Sequence, residues 1–383
     1  MRTETREPAR DENPRRKFLK GCLGAAGTAV AGGAIGTLST PAAARDTHHR
    51  PPEALGLLYD ATLCIGCKAC VAACKQANDN PPEFSTVDKL WDTPLDTSGH
   101  TFNIIKMYRH GTMTTKDAES NGYAFMKTSC MHCADPSCVS ACPVTAMTKD
   151  PVTGVVAYDP DACVGCRYCV VACPFGIPKY QYDSPTGKIG KCELCRHRVA
   201  DGHFSACAEV CPTGATLHGR TRDLLIEARR RLALPAGSLT RYPRGSIDGG
   251  PEQSYEGYVG TYQQHVYGEH EYGGTQVLKL SAVPFEKVGM PNLPPESSAA
   301  TSETIQHTLY GGLLMPFAVL GAMTYVAKRN VHHDEDDDDD DDHNSPAATT
   351  GPGREWSLAV NTPPGRDRSA AACSMRRPWS AAF

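Results

Sequence analysis

The sequence has few aromatic residues and lacks the motifs with which many soluble enzymes hold a nucleotide or activate a nucleophile. Phenylalanine, tryptophan and tyrosine make up 7% of its 383 residues. It contains no phosphate-binding glycine loop, no dinucleotide fingerprint and no assembled nucleophile–base set. The formal net charge of −4 says little about partners, and nothing predicts nucleic-acid binding. These absences indicate a protein that performs no bond chemistry, so we predict no catalytic residue.

Cysteine is the residue in excess. Sixteen of the eighteen cysteines fall into four consecutive groups of four, and three groups end in Cys-Pro. This close spacing is typical of iron–sulfur cluster ligands. The quartets are Cys64, Cys67, Cys70 and Cys74; Cys130, Cys133, Cys138 and Cys142; Cys163, Cys166, Cys169 and Cys173; and Cys192, Cys195, Cys207 and Cys211. Four quartets predict four [4Fe–4S] clusters, with iron as the metal and sixteen thiolate ligands.

Two other uses of cysteine fit the spacing less well. Disulfide frameworks cross-link distant segments, whereas Cys-x2-Cys-x2-Cys places three thiols too close together to do so. The last quartet alone, with Cys192 and Cys195 as one pair and Cys207 and Cys211 as the other, could be a zinc ribbon. Its three sibling quartets favour iron–sulfur chemistry. A structural anchor protein held by zinc or disulfides is therefore the remote alternative.

The residue after each quartet constrains how the chain leaves the cluster. Pro143, Pro174 and Pro212 follow the last three quartets, and proline fixes φ and donates no hydrogen bond. We therefore expect the chain to leave these three quartets in a set direction. Lys75 follows the first quartet instead, so its end is the least regular of the four.

The order of the quartets predicts how they share clusters. In two-cluster ferredoxins the fourth cysteine of each run ligates the neighbouring cluster. Quartets two and three lie close together and form one such unit, so quartets one and four, which enclose it, form a second. The predicted ligand sets are Cys64, Cys67, Cys70 and Cys211 for cluster 1; Cys130, Cys133, Cys138 and Cys173 for cluster 2; Cys163, Cys166, Cys169 and Cys142 for cluster 3; and Cys192, Cys195, Cys207 and Cys74 for cluster 4.

The N-terminal residues 1–44 have the features of a twin-arginine (Tat) signal peptide. Arg15 and Arg16 are followed by Lys-Phe-Leu-Lys, a weakly hydrophobic stretch and Ala42-Ala43-Ala44. The Tat route carries folded proteins, so clusters could be inserted before export. We therefore predict a periplasmic location for the cluster-binding part.

A second uncharged segment lies near the C-terminus. Residues 309–327 carry no charge and, as a helix, would span roughly 28 Å. Lys328 and Arg329 follow at once, which places this end in the cytoplasm. A buried core helix is the alternative, but the segment shows no polar face. We therefore predict a single-pass inner-membrane anchor over residues 305–329.

The expected fold class is α+β, with two pseudo-symmetric bacterial-ferredoxin-like modules, one inserted in the other, plus the C-terminal transmembrane helix. The four-cluster domain would cover residues 45–220, and an extension or docking region 221–304. An amphipathic helix is predicted over 221–234, and the tyrosine-rich stretch 255–272 is either a packed loop or a docking surface. Residues 330–383, with nine consecutive acids from Asp334 to Asp342, are predicted to be a disordered cytoplasmic tail.

Several motifs together resemble a known family. The four quartets, the leader, Gly56-Leu57-Leu58-Tyr59-Asp60, Gly273-Gly274-Thr275-Gln276-Val277-Leu278 and Gln306-His307-Thr308-Leu309-Tyr310 are similar to the ferredoxin-like subunit of hydrogenase-2. That family belongs to the four-cluster electron-transfer subunits also found with formate dehydrogenases and molybdenum or sulfur reductases. The acidic tail lies outside the resemblance.

The resemblance implies a non-catalytic electron-transfer subunit. Electrons from hydrogen oxidation at a nickel–iron hydrogenase, with its large and small subunits, would pass along four clusters to an integral membrane quinone-reactive subunit. The alternative is the same role beside a formate dehydrogenase or a molybdenum or sulfur reductase.

Overall fold

The computed structural model describes residues 46–84, 93–249 and 253–330. The predicted leader and acidic tail lie outside the described residues. The chain divides into two compact units, Met1–Leu320 and Gly321–Phe383. The strands of the first unit are β1 (Leu55–Asp60), β2 (Asn103–Arg109), β3 (Thr115–Lys116), β4 (Gly122–Ser129), β5 (Met147–Lys149), β6 (Val156–Tyr158), β7 (Lys179–Tyr180), β8 (Ile189–Gly190), β9 (Thr216–Arg220), β10 (Leu239–Pro243), β11 (Gly245–Ser246), β12 (Ser254–Tyr258) and β13 (Val277–Leu280).

The helices are mostly short and follow the cysteines. They are α1 (Ala69–Ala77), α2 (Ser137–Ser140), α3 (Tyr168–Ala172), α4 (Arg196–Ala200), α5 (Ala206–Glu209), α6 (Thr221–Ala233) and α7 (Ser298–Asn330). The described residues contain both helices and strands, which confirms a mixed α and β fold.

The largest sheet joins the two ends of the cysteine-rich region. Its strand order is β11-β9-β1-β13, and β1, before the first quartet, pairs antiparallel with β9, after the fourth. Leu57, Leu58 and Leu217 in these strands are at most 1% exposed, because their apolar side chains face the main core. The pairing brings the start of quartet one beside the end of quartet four.

The inner quartets repeat this arrangement. Strand β5 follows quartet two, β6 precedes quartet three, and the two pair antiparallel with Met147 opposite Tyr158. Each hairpin-like pair thus joins a strand that leaves one quartet to a strand that leads into another. The outer and the inner pair of quartets are thus each joined by antiparallel strands.

A three-stranded sheet, in the order β2-β4-β3, leads into the inner quartets. Strand β4 ends at Ser129, directly before Cys130, and its register places Lys127 opposite Ile105. The Tyr59 hydroxyl of β1 donates to the Phe125 carbonyl of β4 at 2.8 Å. This contact fixes β4 against the central sheet.

The helices around the third cysteines differ as the prolines predict. Helices α2, α3 and α5 end before Cys142, Cys173 and Cys211, each of which is followed by proline. Helix α1 continues through Cys74 and Lys75 to Ala77, because lysine can extend the hydrogen-bonded turn.

The region after residue 220 completes the core. Strand β13 pairs in parallel with β1, and helix α6 begins at Thr221, as the amphipathic pattern predicts, with Leu224 and Ala228 fully buried. Of the tyrosine-rich stretch, Tyr262, Tyr267 and Tyr272 are buried, while Tyr258 is exposed. Most of this stretch is therefore packed against the body rather than free for docking.

Helix α7 occupies the position of the predicted anchor. Its first turn lies against the body, where Ala299 and Ala300 are buried and the Ser297 hydroxyl donates to the Asp135 carbonyl at 2.9 Å. Within the ranges described above, no helix combines the length and the apolar character that crossing a membrane requires.

Candidate iron–sulfur sites

The first hollow in the protein is surrounded by cysteines from opposite ends of the cysteine-rich region. Cys64, Cys67, Cys70 and Cys211 line it and are called site 1 here. The hollow encloses about 330 Å³ of atom-free space, and its other lining residues include Ile65, Ala69, Ile105 and Ala215. The structure thus gathers the four cysteines predicted to hold cluster 1.

A second hollow of about 300 Å³ repeats this site. It is lined by the cysteines predicted for cluster 3, called site 3: Cys142, Cys163, Cys166 and Cys169. Its apolar lining includes Val144, Ala146, Val164 and Ile189. Both hollows therefore combine four thiols with an apolar lining.

The third hollow, of about 290 Å³, contains the cysteines predicted for cluster 4. These are Cys74, Cys192, Cys195 and Cys207, called site 4. Its lining includes the polar residues Asn103, Lys127, Ser129 and Ser205.

The four remaining cysteines are called site 2, and electrostatic interactions connect them. Burial first, and then the thiols of Cys138, Cys173 and Cys130, raise the pKa of Cys133. The pKa of Cys138 is likewise raised by burial and by the charges of Cys130 and Cys173, while the charge of Lys191 acts to lower it. The cysteines predicted for cluster 2 therefore also lie within interaction range of one another.

Sites 1 and 3 share details beyond their ligands. The Gly66 N–H donates to Cys64 Sγ and the Gly165 N–H to Cys163 Sγ, both at 3.4 Å. In each Cys-x2-Cys turn, the glycine and the residue after the second cysteine have positive φ: Gly66 at 71° and Lys68 at 58°, against Gly165 at 72° and Arg167 at 64°. The two turns therefore have the same backbone conformation, which glycine adopts readily.

The fourth ligands repeat as well. The Thr216 N–H donates to Cys211 Sγ at 3.4 Å, and the Met147 N–H donates to Cys142 Sγ at 3.5 Å. Both donors lie in the strands that leave those quartets. Amide donors to sulfur are among the contacts that set the reduction potential of a cluster.

Burial makes the cysteine thiols hard to ionise. Desolvation, followed by the charges of neighbouring cysteines, raises the pKa of Cys74 to about 12 and that of Cys169 to about 11. Iron binds thiolate, so a cationic iron core must supply the charge that stabilises the deprotonated sulfur. The donor set, all sulfur around a closed hollow, fits such a core.

The sites follow one another in a defined order. The charge of Cys207 in site 4 acts on Cys70 in site 1, and that of Cys130 in site 2 acts on Cys192 in site 4. The charge of Cys169 in site 3 acts on Cys138 in site 2. The resulting order is 1–4–2–3. Cys67 at one end and Cys166 at the other are the exposed cysteines among those described.

Sites for a single metal ion differ from cluster sites in the arrangement of their ligands. In the described ranges, no cluster of three or more His, Cys, Asp or Glu side chains has the arrangement of a metal-ion site. The hollows described above are defined instead by the residues that surround them.

Sequence reasoning identified every cysteine of these sites but missed their lysines. Lys127 is 2% exposed and lines site 4. Lys149 donates to the Cys133 carbonyl at 2.9 Å, and Lys191 donates to the Cys192 carbonyl at 2.9 Å. Lysine is seldom buried without a partner. In the strand sequence Gly-Tyr-Ala-Phe-Met-Lys-Thr-Ser, the lone lysine directly before the cysteines was the available indication.

Comparison with known proteins agrees with these sites. Residues 122–221 match the 4Fe-4S dicluster domain family. The fold and the cysteine sites thus define an iron–sulfur protein of the ferredoxin type.

The relatives identify the family more closely. The chain is 46% identical over 328 residues to the hydrogenase-2 operon protein HybA of Escherichia coli O157:H7, covering 83% of this chain and 97% of that protein. It is 30% identical over 279 residues to the iron–sulfur subunit of the nitrate-inducible formate dehydrogenase of Escherichia coli K12, covering 72% of this chain and 83% of that one. The chain belongs to the HybA family. The predicted resemblance is confirmed, and the chain is a non-catalytic iron–sulfur electron-transfer subunit.

Proposed function

We propose that this chain carries electrons through four [4Fe–4S] clusters between a nickel–iron hydrogenase and a membrane quinone-reactive subunit. The observation that carries the proposal is the gathering of cysteines distant in sequence around the hollows of sites 1, 3 and 4. In each, three thiols come from one quartet and the fourth from another. The clusters, when bound, supply the one-electron redox chemistry. The chain supplies the thiolates, the amide donors and the exclusion of water.

The order 1–4–2–3 is suited to stepwise electron transfer. The inner sites 4 and 2 are enclosed, while Cys67 of site 1 and Cys166 of site 3 are exposed. We assign these two ends as the points where electrons enter and leave. Exposed apolar residues lie at both, with Ile65 52% exposed beside site 1 and Val171 86% exposed beside site 3.

The direction of flow follows from the position of α7. The helix begins beside the site 2 loop, where Ser297 contacts Asp135, and site 2 adjoins site 3. We assign the site 3 end to the membrane partner and the site 1 end to the hydrogenase small subunit.

The exported, periplasmic location and the anchor over residues 305–329, with a cytoplasmic C-terminus, belong to the same proposal. They are supported by the Arg15-Arg16 leader and by Lys328 and Arg329 after the uncharged stretch.

Identity favours hydrogenase over formate dehydrogenase, because the relative named for the hydrogenase-2 operon is 46% identical and the formate dehydrogenase subunit 30%. The same four-cluster role beside a formate dehydrogenase is the second candidate. Affinity purification of the intact complex decides between them. A nickel–iron large subunit in the purified complex supports the first, and a molybdenum-containing subunit supports the second.

Metal analysis tests the cluster count. Anaerobically purified protein should contain about sixteen iron and sixteen inorganic sulfide per chain, since four thiolates hold each four-iron cluster. Eight irons or fewer would contradict four clusters. Zinc in place of iron, with a colourless protein, would support the structural alternative.

Two surface variants test the direction. Ile65→Lys places a charge at the site 1 end and should block cluster reduction by hydrogen in the complex. Val171→Lys should leave that reduction intact and block reoxidation by quinone. Ile226→Lys, at an exposed position of α6, is the control and should change neither step. Iron content is measured for all three. If Ile65→Lys blocks reoxidation by quinone and Val171→Lys blocks reduction by hydrogen, electrons flow from site 3 to site 1 and the assigned direction is wrong.

A further inference from the structure

Lys127 is a buried cation whose charged end faces cysteine sulfur. Its side chain is 2% exposed, and its Nζ lacks a hydrogen-bond partner. It lines the site 4 hollow together with Cys74, Cys192 and Cys207. An ammonium group buried without hydrogen bonds is unfavourable, so the position demands a compensating negative charge.

The negative charge comes from the cysteines. Cys207 and Cys192 line the same hollow as Lys127, and thiolates that hold a cluster are anionic. Cys70 of site 1 also lies within electrostatic range of the Lys127 ammonium group. Lys127 therefore interacts with sites 1 and 4, which are neighbours in the chain of sites.

Two further polar groups distinguish site 4. Asn103 Oδ1 and Ser129 Oγ are buried without hydrogen-bond partners and line the same hollow. The Asn103 side chain also lies within hydrogen-bond range of the Cys74 sulfur. Lys127 Nζ and Ser129 Oγ can both donate hydrogen bonds, and two unpartnered donors around one hollow point to an occupant that accepts them and carries negative charge. Sites 1 and 3 also have a cationic residue in their linings, Lys68 and Arg167. Both have partners outside the hollow, because Lys68 Nζ donates to the Thr93 carbonyl and Arg167 lies over the Tyr180 ring.

The backbone holds Lys127 in place from the other side. Its carbonyl accepts a hydrogen bond from Lys279 Nζ at 2.7 Å, and Lys279 Nζ also lies 3.0 Å from Met290 Sδ. Lys279 is 1% exposed, and the charge that acts on it is that of Lys127. It is therefore a lysine of matched burial that does not face the cysteines.

We propose that Lys127 raises the reduction potential of the cluster held by Cys74, Cys192, Cys195 and Cys207. Reduction adds one negative charge to a cluster, and a fixed positive charge in a water-excluded site stabilises the reduced form. The Ser129 hydroxyl acts in the same direction when it donates to the cluster or its sulfur ligands. This inference rests on the proposed cluster ligation.

The test is a redox titration followed by electron paramagnetic resonance. Lys127→Met and Lys127→Gln remove the charge and should make reduction of one cluster at least tenfold less favourable, which is about 59 mV for one electron. Cys195→Ser, examined separately, identifies the signal of the site 4 cluster. Lys127→Arg keeps the charge and should stay close to the unmodified protein. Lys279→Met is the matched control and should shift the same cluster less than Lys127→Met.

The outcomes separate this inference from the proposed function. If the unmodified protein lacks four clusters, the ligation itself is wrong. If it holds four and both neutral variants leave every potential unchanged, or Lys279→Met gives an equal shift, the role of Lys127 is wrong. Should both neutral variants lose the site 4 cluster, Lys127→Arg decides. If Lys127→Arg keeps the site 4 cluster, the cluster requires a positive charge at this position. If Lys127→Arg also loses the cluster, the site requires the shape of the lysine side chain, and the proposed role of its charge is wrong.

Discussion

Arg231 and Asp60 form a fully buried ion pair, with Arg231 Nη1 3.0 Å from Asp60 Oδ2 and both side chains 0% exposed. The two residues are 171 positions apart. Asp60 also accepts the Tyr262 hydroxyl at 2.8 Å, and Arg231 Nε donates to Glu227 at 2.8 Å. The pair therefore joins the end of strand β1, just before the first quartet, to helix α6 of the extension.

Removal of one partner should destabilise the protein strongly. Arg231→Met leaves Asp60 as a buried uncompensated charge, and we expect a loss of about 3–5 kcal/mol in unfolding free energy. Asp60→Asn combined with Arg231→Met should recover part of this loss, because no charge is then left unpaired. Anaerobic denaturant titration, followed by visible absorbance of the clusters, measures both. A loss below about 1 kcal/mol in the single variant would contradict the assigned role.

Substitution of Cys142 should affect the site of quartet three more than that of its own quartet. The hollow of site 3 contains Cys142 beside Cys163, Cys166 and Cys169. Cys142→Ser should therefore alter the resonance signal of one cluster, the same one altered by Cys166→Ser. Cys138→Ser is the control, since it should alter a different signal. If Cys142→Ser and Cys138→Ser alter the same resonance signal, Cys142 binds the cluster of its own quartet and the predicted cross-ligation is wrong.

A buried histidine should make stability depend on pH. Burial lowers the pKa of His218 to about 4, and its ring lies 3.0 Å from Ser205 Oγ through Nδ1. An unfolded histidine takes up a proton near pH 6.5, so below that pH the unfolded state binds more protons and stability falls as pH falls. The shift predicts a loss of about 2 kcal/mol between about pH 7 and about pH 5.

His218→Gln should remove this part of the pH dependence. Unfolding free energies of both proteins are compared at several pH values, so that acid damage to the clusters, common to both, cancels. His203→Gln, at an exposed position, is the control and should keep the dependence of the unmodified protein. Equal pH dependence in His218→Gln and the unmodified protein would contradict the buried neutral histidine.

Changing Arg15 and Arg16 to lysine should leave the protein in the cytoplasm with its clusters intact. The pair is read by the export machinery and contributes no cluster ligand. Cell fractionation with iron analysis measures the result. Undiminished export, or export through the Sec route, would contradict the Tat assignment.

Deletion of residues 309–327 should release a soluble protein that is still reducible but transfers electrons poorly to quinone. The segment contains no cysteine, so its role is to hold the clusters beside the membrane partner and make the encounter local. Hydrogen oxidation with an artificial dye should survive in the complex. Quinone reduction at the full rate would show that this segment is dispensable.

The sequence alone predicted the cysteines and their grouping, because ligand spacing within a quartet is local. Three thiols within seven residues, as in Cys64 to Cys70, must lie close together whatever the rest of the chain does. The ends of the short helices were also predictable, since Pro143, Pro174 and Pro212 act on the adjacent residue.

Only the tertiary structure decided what the sites have around them. The parallel pairing of β13 with β1, the ion pair of Arg231 with Asp60 and the order 1–4–2–3 join segments far apart in sequence, and nothing in their local composition specifies a partner. The surroundings of Lys127 likewise could not be predicted from the sequence. Its position beside Cys207 depends on how β4 packs against β2 and the central sheet. Long-range packing, which buries charge and apolar surface together, determined these relationships.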